Sequence, residues 1–369
     1  MNQEMLVCWN CKKEYSVDLP QWQCDCGGCL NLKQKPAQFS KEKIKKGPFS
    51  LWRYKEVFPA ISPPSMVSLG EGCTPLVPGR WHGSDVFFKL DFVSPTGSFK
   101  DRGATLMVSK IKDLGIEHVL DDSSGNAAAS ISAYCAKAGI RCDIYSPEGT
   151  SPGKLRQIQC YGANLILVKG SREDTARAAE KASQIHYYAS HQMNPFFNEG
   201  TKTFAFEIWE QMGWDIPDGV VVAIGGGGML LGAYLGFKQL MMSGEISRIP
   251  RIFGVQAEAC APVFQAFIEG REKTSRVEKK PTIAEGISIV NPVRGAEILA
   301  AVRETGGRVE TVNDEEIRSA LRELASKGIY VEPTSGAAPA ALSKLFSKGL
   351  LSRGDRVVVA LTGSGLKAG

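Results

Sequence analysis

Residues 94–103 read Ser-Pro-Thr-Gly-Ser-Phe-Lys-Asp-Arg-Gly, and they join a predicted strand at 86–90 to a predicted helix at 104–114. Proline and glycine mark a turn between these two elements. Lys100 lies at the end of the turn, and loops held by rigid elements are favoured positions for reactive groups. A lysine amine in such a place is suited to forming a Schiff base. Lys-Asp-Arg is equally an ordinary charged helix start, so the rest of the chain has to decide between the two interpretations.

Strand-like and helix-like segments alternate on both sides of this stretch. The predicted strands are 86–90, 119–120, 142–145, 165–169, 219–224, 251–256, 328–331 and 356–361. The predicted helices are 104–114, 126–138, 153–161, 173–185, 202–212, 229–242, 314–327 and 336–347. Such alternation indicates an α/β fold with parallel strands and helices on both faces of the sheet. A chain of 369 residues is long enough for two doubly wound parallel-sheet domains and a small additional segment.

The composition is that of an ordinary globular protein, with 43% hydrophobic and 22% charged residues and a net charge of +5. The basic run at 41–46 contains Glu42, which favours a solvated helix face or linker over a nucleic-acid patch. No apolar run approaches the ~20 residues needed to cross a bilayer, and residues 1–5 lack the layout of a secretory signal. We therefore expect a cytoplasmic protein without nucleic-acid or membrane partners.

The N-terminal segment contains a dense cysteine cluster. Cys8 and Cys11 form one short pair, and Cys24 and Cys26 form a second, which is close to the spacing of a zinc ribbon. Cys29 is an alternative to Cys24, because Cys26 and Cys29 also form a pair separated by two residues. A closed four-cysteine Zn²⁺ site leaves no open coordination position, so the sequence predicts a structural metal that holds this small segment together.

A run of four glycines, Gly225, Gly226, Gly227 and Gly228, follows a predicted strand and precedes a predicted helix. Glycines allow backbone N–H groups to approach a phosphate closely, and the start of a helix favours negative charge. The run matches neither the dinucleotide fingerprint nor the triphosphate-binding P-loop. A single phosphate monoester is therefore the predicted ligand of this loop.

Two further polar loops follow predicted strands. Ser123, Ser124, Gly125 and Asn126 open a helix, where they are either ordinary caps or donors to a carboxylate and a phenolate-like oxygen. The loop around Thr362 supplies hydroxyls that could hydrogen-bond a ring nitrogen. Ligands of parallel sheets bind beyond the carboxyl ends of the strands, so a common site is plausible. A lysine, a monophosphate loop, an oxyanion donor and a hydroxyl together describe a site for pyridoxal 5'-phosphate.

At this point the sequence resembles the threonine synthases, within the tryptophan-synthase-β-like group (fold type II) of pyridoxal phosphate enzymes. The matching segments are the ribbon-like start, LGEGCTPL (69–76), SPTGSFKDRG (94–103), SSGN (123–126), NPFFNEGTKT (194–203), GGGGML (225–230), TIAEGI (282–287), VEPTSGAA (331–338) and LTGSGLK (361–367). The resemblance implies two α/β domains with the cofactor between them. Residues 34–100 with 205–369 would form the large domain and 101–204 the small one, behind a zinc ribbon at 1–33. It also implies a homodimer.

The resemblance further implies a role for each site residue. Lys100 would hold the cofactor as a Schiff base and move substrate protons, with Phe99 against the cofactor ring. Asn126 would donate to the phenolic oxygen, while Ser123, Ser124 and Gly125 would bind the substrate carboxylate. The glycines 225–228 would hold the cofactor phosphate, and Thr362, with Ser364 as second choice, would meet the ring nitrogen. The expected reaction is a β,γ-replacement that converts O-phosphohomoserine and water to threonine and phosphate.

Two features depart from this pattern and keep an alternative open. The four glycines followed by Met-Leu are more similar to the amino-acid dehydratases of the same group. Phe196 and Phe197 stand where many threonine synthases carry an arginine, which leaves Lys154, Arg156 and Lys202 as replacements for binding a substrate phosphate. The alternative is therefore a serine or threonine dehydratase, or a β-replacement enzyme for a phosphoserine-like substrate. A binding module without catalysis is a third hypothesis, against which Lys100 and the glycine loop argue.

Overall fold

The computed structural model describes residues 4–150 and 152–367, and the chain divides into two compact units. The first unit comprises the described residues up to Gly72 together with Ser94–Thr201. The second comprises Cys73–Val93 and the residues from Lys202 onward. The division into three domains that the sequence suggested stays a prediction.

The strands alternate with helices along most of the chain. The strands are β1 Met5–Cys8, β2 Glu14–Ser16, β3 Leu30–Leu32, β4 Leu76–Trp81, β5 Ser84–Leu90, β6 His118–Asp121, β7 Arg141–Pro147, β8 Asn164–Val168, β9 Tyr187–Tyr188, β10 Gly219–Ala223, β11 Arg251–Ala257, β12 Val309–Val312 and β13 Val357–Leu361. The helices are α1 Lys41–Lys46, α2 Lys100–Asp113, α3 Asn126–Ala138, α4 Pro152–Cys160, α5 Arg172–Ala182, α6 Pro195–Thr201, α7 Thr203–Gln211, α8 Gly228–Met242, α9 Pro262–Ile268, α10 Gly295–Glu304, α11 Asp314–Ser326, α12 Pro333–Ala340 and α13 Leu342–Ser347. Short 3₁₀ turns occupy several of the connections.

The first unit contains two sheets. Strands β8, β7, β6 and β9 form a parallel sheet in that order, and the N-terminal strands form a small antiparallel sheet in the order β2, β1, β3. Helix α2 packs against α3 and α6, and its residues from Asp101 to Ile111 are all buried. Apolar side chains of the N-terminal sheet, including Leu6 and Leu30, join the core cluster that contains Met107 of α2.

The second unit is built on a six-stranded sheet in the order β12, β11, β10, β13, β5, β4. All neighbouring pairs are parallel except β4 and β5, which form an antiparallel hairpin at one edge. Residues His82 and Gly83 both have positive φ and make the two-residue turn, which matches the twist of the hairpin. Strands β10 and β13 are completely buried Val-rich runs, as expected for central parallel strands.

The predicted elements agree with the structure in most places and differ in a few. The helix predicted from residue 104 begins at Lys100, because Asp101 and Arg102 are buried in spite of their charge. The predicted strand at 328–331 is wrong, since only Val331 forms a bridge, to Ser364. The helix predicted at 336–347 is interrupted at Ala341, two residues after a proline. Among the described residues, no helix has the length and apolar character that a membrane span needs.

Candidate cofactor and metal sites

Lys100 is the first residue of α2 and follows a tight turn. The backbone N–H of Gly97 donates to the carbonyl of Ser94 at 2.7 Å and closes that turn. The Lys100 Nζ lies 4.5 Å from the ring centroid of Phe99 and 5.8 Å from that of Phe197, within the range of cation–π contacts. The predicted lysine is therefore held at a helix start beside two aromatic rings.

Phe196 and Phe197 belong to α6, all of whose residues are buried. Their side chains are 1% and 0% exposed, so they fill the core beside α2. Among the cationic residues that the sequence offered as replacements for an arginine here, Arg156 is exposed and Lys202 is completely buried. The side chain of Lys154 lies outside the described part of the structure. Position 197 thus presents an aromatic ring, where related sequences were expected to present a guanidinium.

The loop Ser123–Asn126 connects β6 to α3, and Asn126 is the first residue of that helix. All four residues are half-buried, and the Gly125 N–H donates to Ser123 Oγ at 3.3 Å. Because α3 packs against α2, the helix starts that carry Lys100 and Asn126 belong to neighbouring helices of one unit. These predicted residues of the first unit are thus brought to two adjacent helix starts.

Two buried carboxylates precede this loop, and the sequence alone did not single them out. The pKa of the Asp122 carboxyl is raised by burial, but the Arg172 guanidinium at 2.7 Å outweighs burial and holds the pKa below its usual value. Asp121 is fully buried, and His191 Nδ1 lies 3.5 Å from its Oδ1. Their partners come from α5 and from the segment after β9, distances along the chain that no local pattern reveals.

The glycine loop lies in the second unit, between β10 and the fifteen-residue helix α8. Gly227 has φ +90°, and a Cβ at this position would lie 2.3 Å from Ile298 Cδ1. A Cβ at Gly225 would lie 2.9 Å from the carbonyl oxygen of Gly286. The loop therefore requires residues without side chains, and it leads directly into a helix N-terminus. Both properties fit a phosphate monoester.

Thr362 directly follows β13, the parallel neighbour of β10. Its Oγ1 lies 3.0 Å from Ser335 Oγ, which also accepts the backbone N–H groups of Thr362 at 3.0 Å and Gly363 at 2.7 Å. The glycine loop and Thr362 thus follow adjacent parallel strands at the same edge of one sheet. Ser335 is a buried anchor for the Thr362 loop that sequence reasoning missed.

The four predicted metal ligands come together in the N-terminal segment. The Sγ atoms of Cys8, Cys11, Cys24 and Cys26 all lie within 4.8 Å of one another, and Cys29 is not part of this group. Thiolates around a tetrahedral Zn²⁺ are separated by about 3.8 Å, given Zn–S bonds of about 2.3 Å. The donor set and its spacing therefore fit a structural Zn²⁺.

Two neighbours of the cysteines support this fit. A Cβ at Gly28 would lie 2.7 Å from Cys8 Sγ, so only glycine leaves room for the group. Burial raises the pKa of the Cys24 thiol, but hydrogen bonds, chiefly from the Tyr15 hydroxyl at 3.1 Å, outweigh it and lower the pKa to about 6. A thiol with a lowered pKa is readily present as the thiolate that a metal binds.

Comparison with known proteins decides the family. A family model described as "Pyridoxal-phosphate dependent enzyme" matches residues 67–363. The threonine synthase of Methanocaldococcus jannaschii is 38% identical in an alignment that covers 98% of this chain and 92% of that protein. The chain belongs to the threonine synthase family of pyridoxal-phosphate dependent enzymes.

Other relatives agree with this membership. The threonine synthase of Methanosarcina acetivorans is 36% identical, with the same coverage of 98% and 92%. Among solved structures, a threonine deaminase from the organism abbreviated T.th. has a TM-score of 0.67 and 26% identity, and the match covers 79% of this chain and 92% of that one. The α/β fold class and the threonine synthase family, both predicted from sequence, are confirmed.

Replacing Gly227 with alanine is expected to weaken cofactor binding by at least about tenfold. The left-handed backbone costs alanine about 1–2 kcal/mol, and the new methyl group would collide with Ile298. Titration of the cofactor-free protein with pyridoxal phosphate, followed by absorbance, measures the change. Gly213→Ala is the control, because Gly213 also has positive φ (+73°) but faces open space. Equal affinities for the two variants would contradict the assignment of this loop.

Proposed function

We propose that this protein converts O-phosphohomoserine and water to threonine and phosphate. The observation that carries the proposal is the placement of Lys100, at a helix start beside two aromatic rings, in a chain of the threonine synthase family. Membership of the family makes it a pyridoxal-phosphate dependent lyase, and the lysine turn and glycine loop fit that cofactor.

The residues of the first unit would hold the reacting groups. Bound pyridoxal phosphate supplies an electron sink for carbanions that form on the amino-acid substrate. Lys100 would hold the cofactor through Nζ and then accept and return the substrate protons at that nitrogen. Ser123, Ser124 and Gly125 would bind the substrate carboxylate and so orient its α-carbon toward Lys100. The Asn126 amide would donate to the phenolic oxygen, and the Phe99 ring would limit the access of water.

The residues of the second unit would hold the cofactor by its two ends. Gly225–Gly228 would donate backbone N–H groups to the phosphate, which the start of α8 also favours. The Thr362 hydroxyl would form a neutral hydrogen bond with the ring nitrogen. Ser335 orients that hydroxyl at 3.0 Å, so it is a positioning residue for the same contact.

A second candidate function merits a test because Phe196 and Phe197 offer no charge for a substrate phosphate. An enzyme of this kind with an apolar wall at that position would suit a serine or threonine dehydratase, or a β-replacement on a phosphoserine-like substrate. The similarity to a threonine deaminase structure also favours this candidate.

The two functions are separated by their products. The purified protein would be incubated with O-phosphohomoserine, and inorganic phosphate and threonine would be measured together. Parallel reactions with serine and threonine would be assayed for pyruvate and 2-oxobutyrate, and Lys100→Ala would serve as the inactive control. Equal release of phosphate and threonine supports the first function. Keto-acid formation without phosphate release from O-phosphohomoserine would reject it in favour of the second.

We also propose that Cys8, Cys11, Cys24 and Cys26 bind one structural Zn²⁺. Metal analysis of the purified protein is expected to give about one zinc per chain. Cys8→Ser is expected to lose the metal and to unfold at a lower temperature, because metal binding and folding of such segments are coupled. Cys29→Ser is the matched control, since Cys29 is buried in the same segment but outside the group. Full zinc content in Cys8→Ser would refute this ligand set.

The remaining proposals concern assembly and location. We propose a cytoplasmic homodimer that acts on a small phosphorylated amino acid, without nucleic-acid or membrane partners. Light scattering coupled to size-exclusion chromatography tests the dimer directly. We also retain the division into a ribbon at 1–33, a large domain at 34–100 with 205–369, and a small domain at 101–204.

A further inference from the structure

Helices α2 and α3 face each other through polar side chains spaced by four residues. On α2 these are Asp101, Thr105 and Ser109, all completely buried. On α3 they are Ser130 and Tyr134, also completely buried, which continue the line that begins at Asn126. Residues four apart lie on one face of a helix. We refer to these side chains, together with the two carboxylates they bind, Asp101 and Glu71, as the polar seam.

The end of the seam next to Lys100 is organised by Asp101. Its Oδ1 accepts the hydroxyls of Thr96 and Ser130, each at 2.6 Å, and its Oδ2 accepts the backbone N–H of Thr96 at 2.7 Å. Asp101 is in the first turn of α2, where the helix start stabilises negative charge. One carboxylate therefore ties the turn before Lys100 to the helix that begins with Asn126.

The opposite end of the seam has the same chemistry at a greater distance from Lys100. Glu71, fully buried, accepts the Tyr134 hydroxyl at 2.7 Å and the Thr105 hydroxyl at 2.8 Å. Thr105 lies five residues after Lys100 in α2, and Tyr134 lies eight residues after Asn126 in α3. The two ends of the seam thus provide a natural comparison between a bond near the lysine and a bond remote from it.

We propose that Asp101 is a positioning residue, which fixes the Lys100 turn relative to the start of α3 and thereby relative to Asn126. This inference rests on the proposed cofactor roles of Lys100 and Asn126. Hydrogen bonds to a buried carboxylate are stronger than neutral ones, and they hold a defined geometry. Removing one would leave a buried donor or acceptor unsatisfied and would allow the turn to shift.

The test compares single-group changes at the two ends of the seam. Thr96→Val removes one hydroxyl from Asp101 while keeping the side-chain shape, and Thr96→Ser restores that hydroxyl. Tyr134→Phe removes one hydroxyl from Glu71 at the remote end. Cofactor affinity, the pH midpoint of the bound-cofactor absorbance and the thermal unfolding temperature would be measured for each variant.

Thr96→Val is expected to weaken pyridoxal phosphate binding about tenfold or more and to move the pH midpoint of the absorbance. Thr96→Ser is expected to restore both values. Tyr134→Phe is expected to lower the unfolding temperature while leaving both cofactor readouts unchanged. Ser130→Ala provides a second variant at the Asp101 end if Thr96→Val does not fold.

Two results would be decisive against the proposals, and they are distinguishable. Equal cofactor readouts for Thr96→Val, Ser130→Ala and Tyr134→Phe would assign Asp101 a purely structural role and overturn the positioning proposal. Retention of the bound-cofactor absorbance in Lys100→Ala would instead overturn the assignment of the cofactor lysine itself.

Discussion

Lys100→Ala is expected to abolish the absorbance of the lysine-bound cofactor and to lower turnover by at least about 10³-fold, because the side chain is both the covalent anchor and the proton carrier. The band of a pyridoxal Schiff base would be absent from the purified variant, and borohydride would no longer fix the cofactor to the chain. Spectroscopy of the purified protein, followed by mass spectrometry after reduction, measures both effects.

The matched control is Lys112→Ala, which removes an exposed lysine from the same helix. It is expected to retain the absorbance band, the reducible linkage and the wild-type turnover. A reduced peptide carrying the cofactor on any lysine other than Lys100 would contradict the assignment, whatever the activity of the variant.

Lys89→Met is expected to destabilise the second unit by about 3–5 kcal/mol, since removing one partner of a buried ion pair leaves an uncompensated charge. Lys89 is fully buried, and its Nζ donates to Glu207 Oε2 at 2.7 Å and to Gln211 Oε1 at 3.0 Å. Glu207 in turn accepts the backbone N–H groups of Cys73 and Thr74. Urea-induced unfolding, followed by circular dichroism, measures the loss.

The double variant Lys89→Met with Glu207→Gln tests the physical reason for that loss. Neutralising the carboxylate removes the unpaired buried charge while keeping an oxygen for the Cys73 and Thr74 N–H groups. The double variant is therefore expected to be more stable than Lys89→Met alone. If the two single losses simply added, the charge explanation would fail.

The fold class could be predicted because central parallel strands leave a strong signal. Strands β10 and β13 are continuous Val-rich runs, and each is followed by glycine or hydroxyl residues that mark a loop. The family motifs around Lys100 and the glycine loop added the cofactor. The false strand at 328–331 arose from the run Ile329-Tyr330-Val331, in which Tyr330 is 61% exposed instead of paired in a sheet.

The supports of the site could not be predicted, because their partners are remote in sequence. Asp101 binds Ser130 across 29 residues, and Ser335 binds Thr362 across 27. Helix α6 was missed for a different reason. Every one of its residues is buried, so it has no polar face and shows none of the periodicity that marks a surface helix.

The contact between the N-terminal sheet and α6 has a consequence for how the enzyme depends on metal. Strand β3 touches α6, Gln34 donates to Glu199 at 3.1 Å, and Leu6 and Leu30 share one core cluster with Phe197. If Zn²⁺ holds this sheet, its loss uncovers the helix that packs beside the cofactor lysine. Zinc scarcity would then lower the number of folded enzyme molecules in a cell, and leave the turnover of each remaining molecule unchanged.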